Sequence, residues 1–478
     1  MGNYETVIGL EVHLQLLTES KIFCGCSTQF GLLPNSSTCP VCLGLPGALP
    51  VLNEKVFFYA TKTALALSCQ IQDTIKFDRK NYYYPDLPKN FQISQYDKPL
   101  AYKGFLEIVS EGKKKKIGIT RVHIEEDAGK LMHDSKKGCS LVDLNRTGMP
   151  LLEIVSESDL RSPEEAMLYL QNLKAILKYL RVSDCNMEEG SLRCDANISL
   201  RLRGEKKLGV KTELKNMNSF KAVRDALFYE VSRQREALET GGTIQQETRL
   251  WDENKKISIV MRTKEESHDY RYFPEPDLVP FMVDKKKVAE IKRALPELPE
   301  AKKERLMKQY ALSDYDATVL TREVETALFF EDTVKFVNKP KDIANWISGD
   351  IAAYLKQSNR MINQTKLTPS NLALLISLIY SRQITGKIAK EILPEIFKKG
   401  TSPETIVSQR GLKQISDDDE LAKVIDKVLF ENSKSVSDYR RGKINAITYL
   451  IGQIMKATQG KANPQKVNEI LKKMLGQT

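Results

Sequence analysis

Two groups of residues in this 478-residue chain have the types and spacing to do chemistry. The first is Cys24-Gly25-Cys26 followed, after the loop Ser27 to Thr38, by Cys39-Pro40-Val41-Cys42. Two close thiolate pairs joined by a short Gly/Ser/Pro-containing loop can close a tetrahedron on Zn²⁺, each pair holding one edge. Four protein ligands leave no open position for water, so a zinc ion here is expected to staple a loop and not to catalyse.

The second group is a set of acids on strand faces. In Gly9 to Leu16, GLEVHLQL, the apolar residues Leu10, Val12, Leu14 and Leu16 alternate with Glu11, His13 and Gln15. Glu11 and His13 therefore point to one side of a strand, roughly 6 to 7 Å apart. Further acids are Glu125 and Glu126 in Arg121 to Asp127, Glu153 at the end of Asn145 to Glu153, Asp195 in Ser191 to Arg201, and Glu213 in Val210 to Leu214. Each lies in or beside an apolar alternation, where a bare charge is costly unless paired or metal-bound. Any one of them read alone is an exposed strand residue; their joint occurrence points to a site. Carboxylates with an imidazole and no thiolate suit Mg²⁺ held beside substrate phosphates.

Basic residues near the same segments, Arg79, Lys80, Arg146, Arg193, Lys211 and Lys215, either meet phosphate oxygens or neutralise the acids. There is no GxxxxGK[ST] loop and no strand followed by GxGxxG, so ATP would be held by metals and scattered bases. No GxSxG elbow and no Cys/His nucleophile outside the four-cysteine cluster is present, which argues against hydrolytic amide chemistry. Two aromatic, proline-rich stretches, Asn81 to Pro88 and Asp269 to Asp277, either stack on a base or adenosine or form rigid turns.

These residues need elements to position them. From Tyr4 to about Pro280 the chain reads as half-covered antiparallel strands with a few long helices. Ser162-Pro163-Glu164-Glu165 is a capping box, and Ala166, Leu170, Leu173, Leu177 and Leu180 follow at helical spacing. A second helix is expected from Ser219 to the Gly241-Gly242 stop. Beyond Pro296 the texture turns helical, with an acidic turn at Asp417 to Glu420 and a last helix opened by Asn463-Pro464. The expected fold class is α+β, with a sheet domain over 1–294, an all-α domain over 295–406 and a small helical tail over 407–478.

The composition, 41% hydrophobic and 28% charged, is that of a folded protein and excludes fibrous, collagen-like and disordered classes. No stretch reaches the roughly 18 apolar residues of a membrane span, and eight cysteines are too few for a disulfide framework. A soluble, cytoplasmic protein is expected. Of the net charge of +11, residues 421–478 contribute +7, from 11 Lys+Arg against 4 Asp+Glu. A basic end on a nearly balanced body fits a polyanion partner, or else a solvated helical tail.

Several long motifs, in order, resemble one family: Gly9 to Leu16 (GLEVHLQL), Asn81 to Gln95 (NYYYPDLPKNFQISQ), Arg121 to Lys130 (RVHIEEDAGK), Leu141 to Glu153 (LVDLNRTGMPLLE), Met187 to Leu200 (MEEGSLRCDANISL), Lys215 to Phe220 (KNMNSF), Asp269 to Leu278 (DYRYFPEPDL) and Gly452 to Pro464 (GQIMKATQGKANP). The chain is similar, nearly end to end, to the B subunits of tRNA-dependent amidotransferases, the GatCAB complexes. The resemblance implies a cradle domain, a helical domain and a YqeY-like tail that grips tRNA. It implies a carbon–nitrogen ligase: ATP phosphorylates the side-chain carboxylate of Glu-tRNA(Gln) or Asp-tRNA(Asn), and ammonia then displaces the phosphate.

By position, the resemblance makes His13, Glu153 and one of Glu125 or Glu126 Mg²⁺ ligands, with Glu11, Asp195 and Glu213 as a second metal or ammonia-handling set. Adjacent strand residues face opposite ways, so sequence does not choose between Glu125 and Glu126. Arg146, Arg193, Lys211 and Lys215 become candidates for contact with the nucleotide. Zinc at Cys24, Cys26, Cys39 and Cys42 would support the fold. A glutaminase A subunit and a small C subunit are the implied partners, with no membrane. Competing readings are a metal-dependent nuclease or nucleotidyltransferase and a non-catalytic RNA-binding assembly factor.

Overall fold

The computed structural model describes residues 3–134, 137–263, 270–412, 418–441, 443, 445–458, 461–462 and 464–476. Asp269, Asp417 and Asn463, each named above, lie outside the described residues. The chain divides into two compact units, Met1–Leu298 and Pro299–Thr478.

The first unit is built on a nine-stranded sheet. Its order is Ile257–Thr263, Glu247–Asp252, Thr212–Lys215, Leu192–Leu202, Tyr4–Gln15, Pro150–Ser156, Lys113–Glu126, Ala101–Ser110 and Gln70–Ile71. The strand Tyr4–Gln15 lies at its centre, antiparallel to Leu192–Leu202 on one side and Pro150–Ser156 on the other. Its alternation separates two faces: Ile8, Leu10, Val12 and Leu14 are at most 1% exposed, whereas Glu11 and His13 stand on the opposite face. Helices Glu54–Ala66, Pro163–Leu180 and Phe220–Glu239 contribute Ala60, Leu170, Leu173 and Leu227 to the same core. Each buried leucine or isoleucine is worth about 1.5 to 3 kcal/mol, so a one-residue slip of the central strand, which would drive Glu11 and His13 into this core, is strongly disfavoured.

The sheet is mixed, not wholly antiparallel as the strand patterns suggest. Thr212–Lys215 runs parallel to Glu247–Asp252. The cause is the helix Phe220–Glu239 between them, since parallel neighbours need a crossover and a helix supplies it. Ser219 caps that helix by accepting from Ala222 N–H, and Gly241 follows its end with φ 79°. Only half of the expected capping box forms at Ser162. Its hydroxyl accepts from Glu165 N–H, but the Glu165 carboxylate accepts from Arg161 N–H and pairs with Lys115.

The second unit is helical. Its buried apolar residues gather into two separate clusters, one from Leu306 to Val407 and one from Leu421 to Leu475. No helix among the described residues is long and apolar enough to cross a membrane.

Candidate functional site

Pairing register turns the polar face of the sheet into rows of side chains. In one row Arg193, His13, Glu153 and His123 are successive cross-strand partners. In the next, Asp195, Glu11, Val155 and Arg121 follow one another. Glu125 lies two residues beyond His123 on the same face of its strand.

The first row forms a tight cluster. His13 Nε2 lies 3.4 Å from Glu153, 3.7 Å from Glu11 and 3.9 Å from Glu125. His123 Nε2 lies 3.2 Å from the same Glu153 oxygen and 3.7 Å from Glu125. Ser94 Oγ donates to Glu125 at 3.1 Å. Burial by itself would raise the carboxyl pKa values and lower those of the imidazoles. The pairing outweighs it: His123 is pushed up to about 9 and His13 is also raised, while Glu153 is held well below the usual range and Glu125 below it. Glu11 goes the other way, raised first by burial and then by the charge of Glu153.

This donor set fits a hard divalent cation. Ligand atoms of Glu11, His13 and Glu153 lie within 4.8 Å of one another, as do those of His123, Glu125 and Glu153. Buried carboxylates at this density are acceptable only beside protons or cations. Glu126, by contrast, turns away from the cluster. Its carboxylate accepts from Ile93 N–H at 2.8 Å and pairs with Lys89. With Cys24, Cys42, Arg79 and Glu275 it lines a separate cavity of about 260 Å³.

Asp195 and Glu213, expected beside Glu11, hold a lysine between them. Lys215 Nζ contacts Asp195 and lies 3.2 Å from Glu213, while Thr248 Oγ1 donates to Glu213 at 2.8 Å. The other bases expected at phosphates are placed differently. Arg193 donates to Asp127 at 3.0 Å, and Arg146 lies 3.7 Å from Asp127 while donating to the Ala128 and Gly129 carbonyls. Lys211 is exposed to solvent.

The four cysteines converge, with their sulfurs within 4.8 Å of one another. Cys42 Sγ accepts from Cys39 N–H at 3.1 Å and lies 3.7 Å from the fully buried Lys21 ammonium. Its thiol is pulled down to about 4, first by the hydrogen bond from Cys24, with the Lys21 charge assisting, while burial pushes Cys26 up to about 11. Sulfurs that must share protons in this way are a donor set suited to Zn²⁺.

Comparison with known proteins bears on the whole chain. The GatB/GatE catalytic domain family matches residues 6–289, and the GatB domain matches residues 328–475. The B subunit of the aspartyl/glutamyl-tRNA(Asn/Gln) amidotransferase of Carboxydothermus hydrogenoformans is 56% identical over 99% of both chains. The chain belongs to the GatB family. Similar relatives under the same name are found in Thermoanaerobacter sp. (strain X514), 56% identical, and Thermodesulfovibrio yellowstonii, 54% identical, each over 99% of both chains. The GatB/GatE catalytic match contains every acid and imidazole described above, and the GatB domain match begins well before residue 407.

Sequence reasoning passes over His123 as a site residue, although its spacing of two from Glu125 puts both on one strand face. It also passes over Asp127, which gathers Gln15, Arg146 and Arg193 at the end of the same strand.

Asp127 is 4% exposed, and its carboxyl stays below the ordinary value of 3.8 because the Arg193 and Arg146 charges overcome burial. A depressed carboxyl contributes stability that is present above its unfolded pKa and lost as pH falls through the folded one. Arg193→Ala is expected to cost about 1 to 3 kcal/mol at pH 7, and the deficit is expected to shrink as pH falls below about 4. Urea unfolding of both proteins at the two pH values checks it; a pH-independent deficit would remove the charge argument.

Proposed function

We propose that this chain converts Glu-tRNA(Gln), Asp-tRNA(Asn) or both to the corresponding amides in cytoplasmic protein synthesis, using ATP and ammonia. The observation that carries the reading is the row His13–Glu153–His123 with Glu125 beside it, in a chain 56% identical to subunits named for this amidotransferase. The names of those relatives imply a multi-subunit enzyme, so the ammonia is read as coming from a glutaminase A subunit, with a small C subunit alongside.

An ionised carboxylate is a poor acyl donor because its leaving group would be oxide. Its oxygen therefore attacks the γ-phosphorus of ATP, and ADP departs with the electron pair of the broken P–O bond. Ammonia then attacks the acyl carbon, phosphate leaves, and one proton is released. Mg²⁺ bound by His13, Glu125 and Glu153 would neutralise charge on the transferring phosphoryl group. The chain itself supplies position: His13 and His123 grip Glu153 from both sides, and Ser94 orients Glu125. Asp195 and Glu213 already hold one ammonium, that of Lys215, and are suited to receive another on its way to the acyl carbon.

The assay uses the complex of the three subunits with Mg-ATP, ammonium chloride and glutamyl-tRNA(Gln) or aspartyl-tRNA(Asn), followed by deacylation and identification of the amino acid. Amide is expected only with ATP, and His13→Ala is expected to lower its rate at least about 100-fold with tRNA affinity unchanged. Full activity in that variant would place the chemistry elsewhere.

Within this reading the three-part division at about 295 and 407 separates catalytic, helical and tRNA-gripping segments. Deleting residues 418–478, which leaves the buried Val407 in its own cluster, is expected to weaken tRNA binding and flatten its salt dependence, since fewer counterions are released, while ATP binding persists. Filter binding across a salt series measures this, and unchanged affinity would leave the tail without that role.

The four-cysteine site is read as structural zinc. Elemental analysis is expected to find about one zinc per chain, with Cys26→Ser losing zinc and thermal stability before it loses turnover. A zinc-free wild type of full stability would contradict it.

A further inference from the structure

Most basic side chains around the cluster are already committed. Arg193 and Arg146 hold Asp127, Lys215 holds Asp195 and Glu213, Arg79 holds Glu275 and Lys89 holds Glu126. Lys80 differs. It stands on the strand Asp78–Asn81 opposite Gln92, and Asp78 is opposite Ser94, so Lys80 shares a sheet face with the serine that orients Glu125. Its ammonium lies 5.0 Å from the centre of the Tyr270 ring and 6.0 Å from that of Tyr82, and these rings meet edge to face at 5.9 Å. The Lys80 ammonium makes no hydrogen bond or ion pair with the described residues. Aromatic faces can hold a cation in place without neutralising it. Burial opposes the charge on Lys80, but the fields of Glu125 and Glu153 outweigh burial and keep the amine protonated. The result is a positive group on the sheet face of Ser94, whose three donors are not engaged by the described residues.

We propose that Lys80 is a catalytic residue of the phosphoryl step, its ammonium donating to an oxygen of the transferred phosphoryl group beside Glu125 and Glu153. The proposal rests on the ATP-dependent function above. Lys80 remains protonated throughout: the substrate carboxylate oxygen forms the new P–O bond, the bond to the ADP oxygen breaks, and the lysine offsets charge spread over the phosphoryl oxygens without giving up its proton. A compact ammonium suits this task better than the guanidinium of the neighbouring Arg79, which is held by Glu275 at 2.7 Å on the side of the separate cavity.

The test compares wild type, Lys80→Met and Lys80→Arg in the three-subunit complex. Calorimetric titration with Mg-ATP and Mg-ADP is the readout independent of turnover, and ammonium-dependent amide formation at varied tRNA gives kcat and KM. Lys80→Met is expected to bind Mg-ADP like wild type, to bind Mg-ATP about 10-fold more weakly, and to lose at least about 100-fold in kcat with the KM for tRNA unchanged. Lys80→Arg is expected to recover part of both, because it restores the charge. Amide formation by Lys80→Met within about threefold of wild type would overturn the proposal. So would equal loss of ATP and ADP binding together with a lowered melting temperature, which marks a purely structural lysine. If the wild-type complex makes no ATP-dependent amide, the functional reading itself fails, an outcome separate from either result for Lys80.

Discussion

Everything on the polar face of the sheet depends on Glu125 and Glu153 staying ionised where almost no water reaches them. Their side chains are 3% and 6% exposed. An isolated carboxylate in such a place costs several kcal/mol and would take up a proton instead. Two imidazoles, fixed by strand register on either side of Glu153, prevent this by sharing its charge. The arrangement is a pre-formed set of donors whose cationic partners are protons, which a divalent cation can replace at little cost in reorganisation. The apolar face makes this possible, because its packing against three helices fixes the register that aligns the row.

The cysteine loop is joined to the same region through the backbone. Ile22 N–H donates to the Gly148 carbonyl, Gly148 N–H donates to the Asp127 carbonyl, and Asp127 N–H donates to the Met149 carbonyl. Gly148, where loop and strand end meet, has φ 77°, a left-handed conformation that favours glycine. Lys21, fully buried, donates to the Ser37 carbonyl and faces Cys42. Through these contacts the sulfur cluster braces the segment that ends the strand carrying His123 and Glu125. That linkage ties the four-cysteine cluster to the strand that carries part of the acidic site.

The alternation of GLEVHLQL is enough to place Glu11 and His13 on one face, because period two is a local property. Choosing between Glu125 and Glu126 is beyond it. That choice follows from which strand lies alongside, and the pairing of Glu153 with His123 is non-local information. The same limit hides the parallel pair, which depends on where a helix returns the chain. The bases are the least legible, since lysines and arginines near acids in sequence reach other acids in space. Proximity in sequence groups Arg146 and Arg193 with phosphate contacts, yet both turn to Asp127. The cysteine spacing, by contrast, is local and brings four sulfurs together.

In the proposed function, transfer of a phosphoryl group to the substrate carboxylate is the step on which the chemistry turns. Glutamyl-tRNA(Gln) or aspartyl-tRNA(Asn) labelled with ¹⁸O in its side-chain carboxylate, turned over by the complex with ammonium and Mg-ATP, tests it in one measurement. One ¹⁸O in inorganic phosphate is predicted for each amide formed, and neither product when Glu153 is replaced by Gln. Amide formed with unlabelled phosphate, or with the label in AMP, would contradict it.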